Sequence, residues 1–121
     1  MNTPIHWFEI FVADMDRAVR FYQTTLGIEL RREEFTGKPM AIFSGPREGA
    51  GGALVRDPAR APGDAGTLVY LDAEGKLDAC LARVARAGGA ILLPKTNIGE
   101  PGFIALVRDT EGNSVGLHSE R

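Results

Sequence analysis

The chain has 121 residues, of which 44% are apolar and 25% charged, enough for one compact core and about the size of one ordinary domain. Lys and Arg number 14 against 16 Asp and Glu, so no excess positive charge is available to neutralise phosphates, and nucleic-acid binding by bulk electrostatics is not expected. No apolar run approaches the length of a membrane span, and Cys80, the only cysteine, cannot form an internal disulfide, which points to a reducing, cytoplasmic home.

The opening Met1-Asn2-Thr3-Pro4 has no basic stretch leading into an apolar one, so no signal peptide is expected. Ile5 to Val12 is aromatic and β-branched and too short for a helix, and it reads as a strand. Asp14 then offers an N-cap. Met15, Ala18, Val19, Tyr22 and Leu26 follow helical spacing, with Asp16, Arg17, Arg20 and Gln23 on the other face, and Gly27 is a natural stop. Three short strands follow, Ile28 to Phe35, Pro39 to Phe43 and Gly52 to Arg56, with turns at Thr36-Gly37-Lys38 and Ser44 to Gly51. Asp57 to Gly66 (DPARAPGDAG) loses the apolar pattern and reads as a linker.

The second half repeats the first. Thr67 to Asp72 reads as a strand. Leu77, Cys80, Leu81, Val84 and Ala85 form a helical stripe ended by Gly88-Gly89. Ala90 to Leu93, Phe103 to Val107 and Ser114 to His118 are three further strands, the last two joined by the turn Asp109-Thr110-Glu111-Gly112-Asn113. The order strand, helix, three strands thus occurs twice, with a period of about 60 residues, and each unit alone is too small to bury its sheet.

The segment WFEIFVADMDRAVRFYQTTLG, Trp7 to Gly27, resembles the opening of the vicinal oxygen chelate superfamily, which includes glyoxalase I, bleomycin-resistance proteins, extradiol dioxygenases and methylmalonyl-CoA epimerase. Asp14, Phe21-Tyr22 and Leu26-Gly27 carry the likeness, and Asp109 to Asn113 resembles the family's closing D-P-x-G-N turn. Within the superfamily the chain is most similar to a poorly characterised bacterial group sharing W-F-E-I, G-T-L-V-Y-L, P-K-T-x-I-G and E-G-N-x-x-x-L-H-S segments. The resemblance implies an α+β fold over residues 1–121. Tandem βαβββ modules, about 1–57 and 67–121, would form a cup-shaped eight-stranded sheet with two main helices. It also implies a homodimer. Such a fold hosts many chemistries, so it does not name the reaction.

Metal enzymes of this superfamily place one ligand on each of strands one, four, five and eight. The ion chelates two neighbouring substrate oxygens while a Glu moves a proton. Carried over, those positions fall at Trp7, within Gly52 to Val55, near Leu68 or Val69, and at Gly116, none of which offers a donor side chain. Zinc, nickel or iron needs three or four N, O or S donors, so no metal or other cofactor is expected.

Strand alternation places Phe8, Ile10 and Val12 under the helices and Trp7, Glu9 and Phe11 in the cup. Glu9 stands among apolar neighbours, as a base or polar anchor, or else at the wet mouth or paired with an arginine. On the last strand Val115 and Leu117 face the helices, while Ser114, Gly116 and His118 face the cup. His118 could donate to a ligand or shuttle a proton; it could equally be an exposed histidine near the terminus. His6 falls on the helix side or at the strand's entrance. Tyr70 shares a face with Asp72, as a cup-lining donor or a core tyrosine. The polar segment Lys95 to Gly99 would border the cup, with Lys95 near an anionic ligand or simply solvated. Gly45 to Gly52 lacks the Lys-Ser/Thr ending of a phosphate-binding loop, no G-x-S-x-G nucleophile elbow is present, Cys80 reads as a packing residue, and Arg31 to Glu34 as a charged strand edge.

The leading expectation is a small-molecule-binding protein closer to the bleomycin-resistance branch than to glyoxalase I. Trp7, Glu9, Phe11, Tyr70, Ser114 and His118 would contact the ligand, and Glu9 with His118 are the candidates for proton transfer. The alternative is a metal-dependent lyase, isomerase or dioxygenase with a displaced ligand set of Glu9, His118 and His6. Neither reading involves nucleic acid or membrane.

Overall fold

The computed structural model describes residues 4–43 and 51–121. The first unit contains β1 (Trp7–Phe11), α1 (Met15–Leu26), β2 (Leu30–Phe35), β3 (Lys38–Phe43) and β4 (Gly51–Val55). The second contains β5 (Tyr70–Asp72), α2 (Leu77–Val84), β6 (Ala90–Asn97), β7 (Phe103–Arg108) and β8 (Ser114–Ser119). Each unit makes a four-stranded sheet, ordered β1-β4-β3-β2 and β5-β8-β7-β6, with its first and last strands parallel and its other neighbours antiparallel. The eight strands and two helices are those expected of the tandem α+β fold, the strands forming two four-stranded mixed sheets that no pairing joins among the described residues.

Local chemistry accounts for these elements. Asp14 caps α1 by accepting the Arg17 amide at 3.1 Å, and Gly27 ends the helix in the left-handed region at φ 67°. Thr36 and Gly37, both at positive φ, form the two-residue turn between β2 and β3, the turn chemistry that suits the twist of a hairpin. Residues 44–50, which include most of the Gly-rich stretch Gly45 to Gly52 and the turn expected at Ser44 to Gly51, lie outside the described residues. The N-terminal Met1 to Thr3 also lies outside them.

Two elements differ from expectation. β5 has three residues rather than the six of Thr67 to Asp72, although the Val69 carbonyl still accepts the Gly116 amide at 2.8 Å. β6 runs on past Leu93 to Asn97. Pro94 cannot donate to a ladder, but β6 is an edge strand, and its pairing with β7 shifts register on both sides of Leu93.

One core serves both units. Val12, Ile10 and Leu54 of the first sheet, and Leu71, Val107 and Leu117 of the second, pack with Phe21, Tyr22 and Leu26 of α1 and with Leu77, Cys80 and Val84 of α2. Burying each of the larger apolar side chains contributes about 2 kcal/mol, and truncating Phe21, which is fully buried, to Ala is expected to cost about 3–5 kcal/mol. Cys80 is a packing residue, as its place on the stripe implied.

The turn between β7 and β8 ties the units together. Asp109 Oδ1 accepts the Glu111 and Asn113 amides at 2.8 Å each, and its Oδ2 accepts the Tyr22 hydroxyl of α1 at 2.7 Å. Asn113 Nδ2 donates to the Phe11 carbonyl at 2.8 Å. Glu111 accepts the Ala13 and Asp14 amides at 2.9 and 2.8 Å and forms a two-point ion pair with Arg17. A carboxylate from the second unit thus sits at the N-terminus of the first unit's helix, where amide donors and the helix dipole favour negative charge.

Candidate functional site

The face of each sheet turned away from the helices is open, and alternation along β1 decides what stands on it. Ile10 and Val12 are buried in the core with Phe8 packed against it, whereas Trp7 is 45% exposed and Glu9 is exposed. The expected division of β1 into two faces is therefore observed. Register extends the open face across the sheet. Glu9 lies opposite Ala53 and Phe11 opposite Val55, which lies opposite Met40; Ala53 lies opposite Ile42. Phe35 pairs with Lys38 at the hairpin end.

A cavity of about 400 Å³ opens here, lined by Trp7, Glu9, Phe35, Thr36, Lys38, Met40, Ile42, Val55 and Asp57. Its floor is a small apolar cluster of buried Met40, Ala53 and Val55 with Phe11 and Ile42 packed against it. Two exposed rings, Trp7 and Phe35 (53% exposed), flank the floor. The polar groups are few. Trp7 Nε1 donates to Glu9 Oε2 at 3.2 Å, and Oε1 has no donor among the described residues. Lys38 Nζ pairs with Asp57 Oδ2 at 3.1 Å. The Ala59 amide, and after it Lys38, hold the Asp57 carboxyl below its usual range.

Phe11 stands on the expected face of β1 but below the rings. It packs into the floor, and the Arg60 guanidinium of the segment after β4 lies 5.6 Å from its ring centre. Sequence reasoning missed Phe35, Lys38, Met40, Ile42, Val55 and Asp57. Alternation along Lys38, Met40 and Ile42 was visible, but only the pairing of β3 with β4 and of β4 with β1 puts them beside Glu9.

The second sheet carries the other expected residues. Tyr70 lies opposite Gly116 and Asp72 opposite His118, while Ser114 is half-buried opposite Arg108. Tyr70 is 47% exposed and not a core residue. A Cβ at Gly116 would overlap its ring, so the tyrosine lies over the glycine. His118 Nε2 donates to the Pro101 carbonyl at 2.6 Å, leaving Nδ1 as its acceptor. Glu9 and His118 thus each bond within their own unit and share no hydrogen bond. Lys95 is corrected: it belongs to β6, pairs with Asp78 of α2 at 3.3 Å and lies 4.6 Å from the Phe103 ring centre, so it faces the helix side and not an anion in the cup.

The residues do not fit the divalent ion of the resembled metal enzymes. Trp7, Ala53, Leu68 and Gly116 supply no donor, and the Tyr70 ring fills the space beside Gly116. Among the described residues no three of His, Cys, Asp and Glu converge to hold a metal, and the displaced set of His6, Glu9 and His118 is not assembled. Among the described residues no helix is long and apolar enough to cross a membrane.

Solved structures match the chain along its whole length. A glyoxalase/bleomycin resistance protein/dioxygenase domain from Frankia sp. EAN1pec is similar at 20% identity and a TM-score of 0.75, with 100% of each chain covered. An antibiotic-binding protein from Streptomyces sp. CB03234 is 26% identical, with a TM-score of 0.67 and 99% and 98% of the two chains covered. A glyoxalase I variant from Zea mays is 22% identical at a TM-score of 0.74; 97% of this chain matches 46% of that one. No curated protein matches the sequence. A family profile covers residues 4–117, and the chain belongs to the Glyoxalase/Bleomycin resistance protein/Dioxygenase superfamily.

Proposed function

We propose that the chain binds a small organic molecule in the cavity of its first sheet and works without the divalent metal of the superfamily's enzymes. The cavity itself carries this reading. Its volume of about 400 Å³, its apolar floor, its two flanking rings and its few polar groups have the make-up of a small-molecule site. The likeness to an antibiotic-binding protein supports binding rather than turnover. Trp7 and Glu9 are the contacts retained from the first sheet, with Phe11 beneath them. Tyr70, Ser114 and His118 form a separate cluster on the second sheet. No reaction is assigned, because Glu9 and His118 are not joined and, among the described residues, no oxyanion stabiliser accompanies either.

Trp7 is the only tryptophan, so its fluorescence reports on this cavity alone. A panel of antibiotics and aromatic metabolites is expected to contain members that quench it saturably, and Phe35→Ala is expected to weaken them. A panel that leaves both Trp7 emission and calorimetric heat unchanged refutes the binding reading. The metal-dependent lyase, isomerase or dioxygenase reading is tested separately. Uptake near one nickel, zinc or ferrous ion per chain after desalting would overturn the metal-free site.

A homodimer is part of the proposal. Trp7, Phe35 and Tyr70 leave about half their surface uncovered, and β1 and β5 are edge strands. Sedimentation at micromolar concentration is expected to give twice the 13.0 kDa chain mass. The cytoplasmic placement rests on Cys80, a buried thiol in a chain with one cysteine.

A further inference from the structure

We infer that the cavity has two chemical poles and selects an elongated molecule with an apolar centre, a cationic group at one end and an anionic group at the other. This deepens the binding reading above and rests on the same cavity.

Strand register sets the spacing. Glu9 is level with Ala53, and Ala53 with Ile42. Lys38 lies four residues further along β3. The Glu9 and Lys38 backbones therefore stand about 13 Å apart along the strands and about 10 Å across them. Met40, Ile42 and Val55 line the ground between.

Each pole combines a ring with a charge. At one, Trp7 Nε1 takes one oxygen of Glu9, and Oε1, which has no donor among the described residues, is the acceptor for an ammonium. At the other, Phe35 is the register partner of Lys38. There each Asp57 oxygen already has a donor: Oδ1 takes the Ala59 amide and Oδ2 takes Lys38. An ammonium has three donors, so Lys38 keeps two for a ligand. The Thr36 hydroxyl is committed to the Phe35 carbonyl. Among the described lining residues only Glu9, Lys38 and Asp57 are ionisable. The Glu9 pole therefore accepts and the Lys38 pole donates, and a zwitterion lying lengthwise satisfies both.

The test uses three probes in isothermal titration calorimetry on the full chain: 4′-(aminomethyl)biphenyl-4-carboxylate, 4-(aminomethyl)biphenyl and biphenyl-4-carboxylate. The zwitterion is expected to bind at least about tenfold more tightly than either singly charged probe, as one charge-assisted hydrogen bond implies. Glu9→Gln is expected to weaken the amine-bearing probes, and Lys38→Met the carboxylate-bearing ones, each by about tenfold or more. Both side chains are partly or fully exposed, and circular dichroism checks that both variants fold. Equal affinity for all three probes, or losses that ignore which charge was removed, overturns the two-pole inference while leaving the cavity as a binding site. Binding of other compounds with none of the three probes bound overturns it as well. A cavity that binds nothing, with Trp7 emission unchanged throughout, instead refutes the parent reading.

Discussion

Replacing Glu111 with Gln tests the tie between the two units. Its side chain is fully buried against a half-exposed Arg17. Burial pushes the carboxyl up, but Arg17, the Asp14 amide, the Thr110 hydroxyl and the Ala13 amide outweigh burial and bring it from an ordinary 4.5 to about 2. A carboxyl lowered on folding adds stability that is fully present above its unfolded value and is lost as pH falls through its folded one. The window here runs from about pH 5 down to about pH 2, and the contribution at pH 7 is about 3 kcal/mol. Gln keeps an acceptor for the Ala13 and Asp14 amides but carries no charge to set against Arg17. For a chain of 121 residues, Glu111→Gln at pH 7 is expected to lower the melting temperature by about 12 °C. Urea unfolding of both proteins from pH 7 to pH 2 separates the charge from the shape. The difference between them is expected to shrink to under about 1 kcal/mol at pH 2. Equal stability at pH 7, or a difference that does not change with pH, refutes the reasoning.

Three further outcomes follow from the packing. Tyr22→Phe deletes the 2.7 Å donor to buried Asp109 and is expected to cost about 1–3 kcal/mol in urea unfolding; a loss below about 0.5 kcal/mol counts against that bond. Gly102→Ala combines φ 108° with overlap of the Ser119 carbonyl, so it is expected to destabilise clearly more than Gly99→Ala, where φ is 91° and the space is open; equal melting temperatures would contradict this. Gly116→Ala is expected to displace the exposed Tyr70 ring with under about 1 kcal/mol of destabilisation, because the ring can rotate into solvent. Unchanged Tyr70 ring resonances in NMR would show that the ring does not rest on the glycine.

Near-neighbour signals were the legible ones. Asp14 and Gly27 bracket α1 because capping is chemistry within a few residues. The two faces of β1 follow from alternation alone. The site was only half legible. Trp7 and Glu9 were in view, but Phe35 and Lys38 join them through two strand pairings that alternation does not specify. Lys95 was misplaced because Pro-Lys-Thr-Asn has loop composition, and an edge strand with shifted register tolerates it. Glu111 looked like one residue of a turn. Its partners Ala13, Asp14 and Arg17 lie 94 to 98 positions earlier in the chain, where no local pattern points.

That separation has a consequence for the order of events during synthesis. α1 is complete in sequence once residue 26 is made, yet the amides of Ala13 and Asp14 meet their acceptor only when Glu111 has emerged. β1 likewise waits for β4 and β5 for β8, since each unit pairs its first strand with its last. These are high-contact-order closures. A nascent chain stalled before residue 109 therefore holds its first helix without the carboxylate at its start and its Tyr22 hydroxyl without Asp109, so the turn from Asp109 to Asn113 decides whether the first thirty residues are locked.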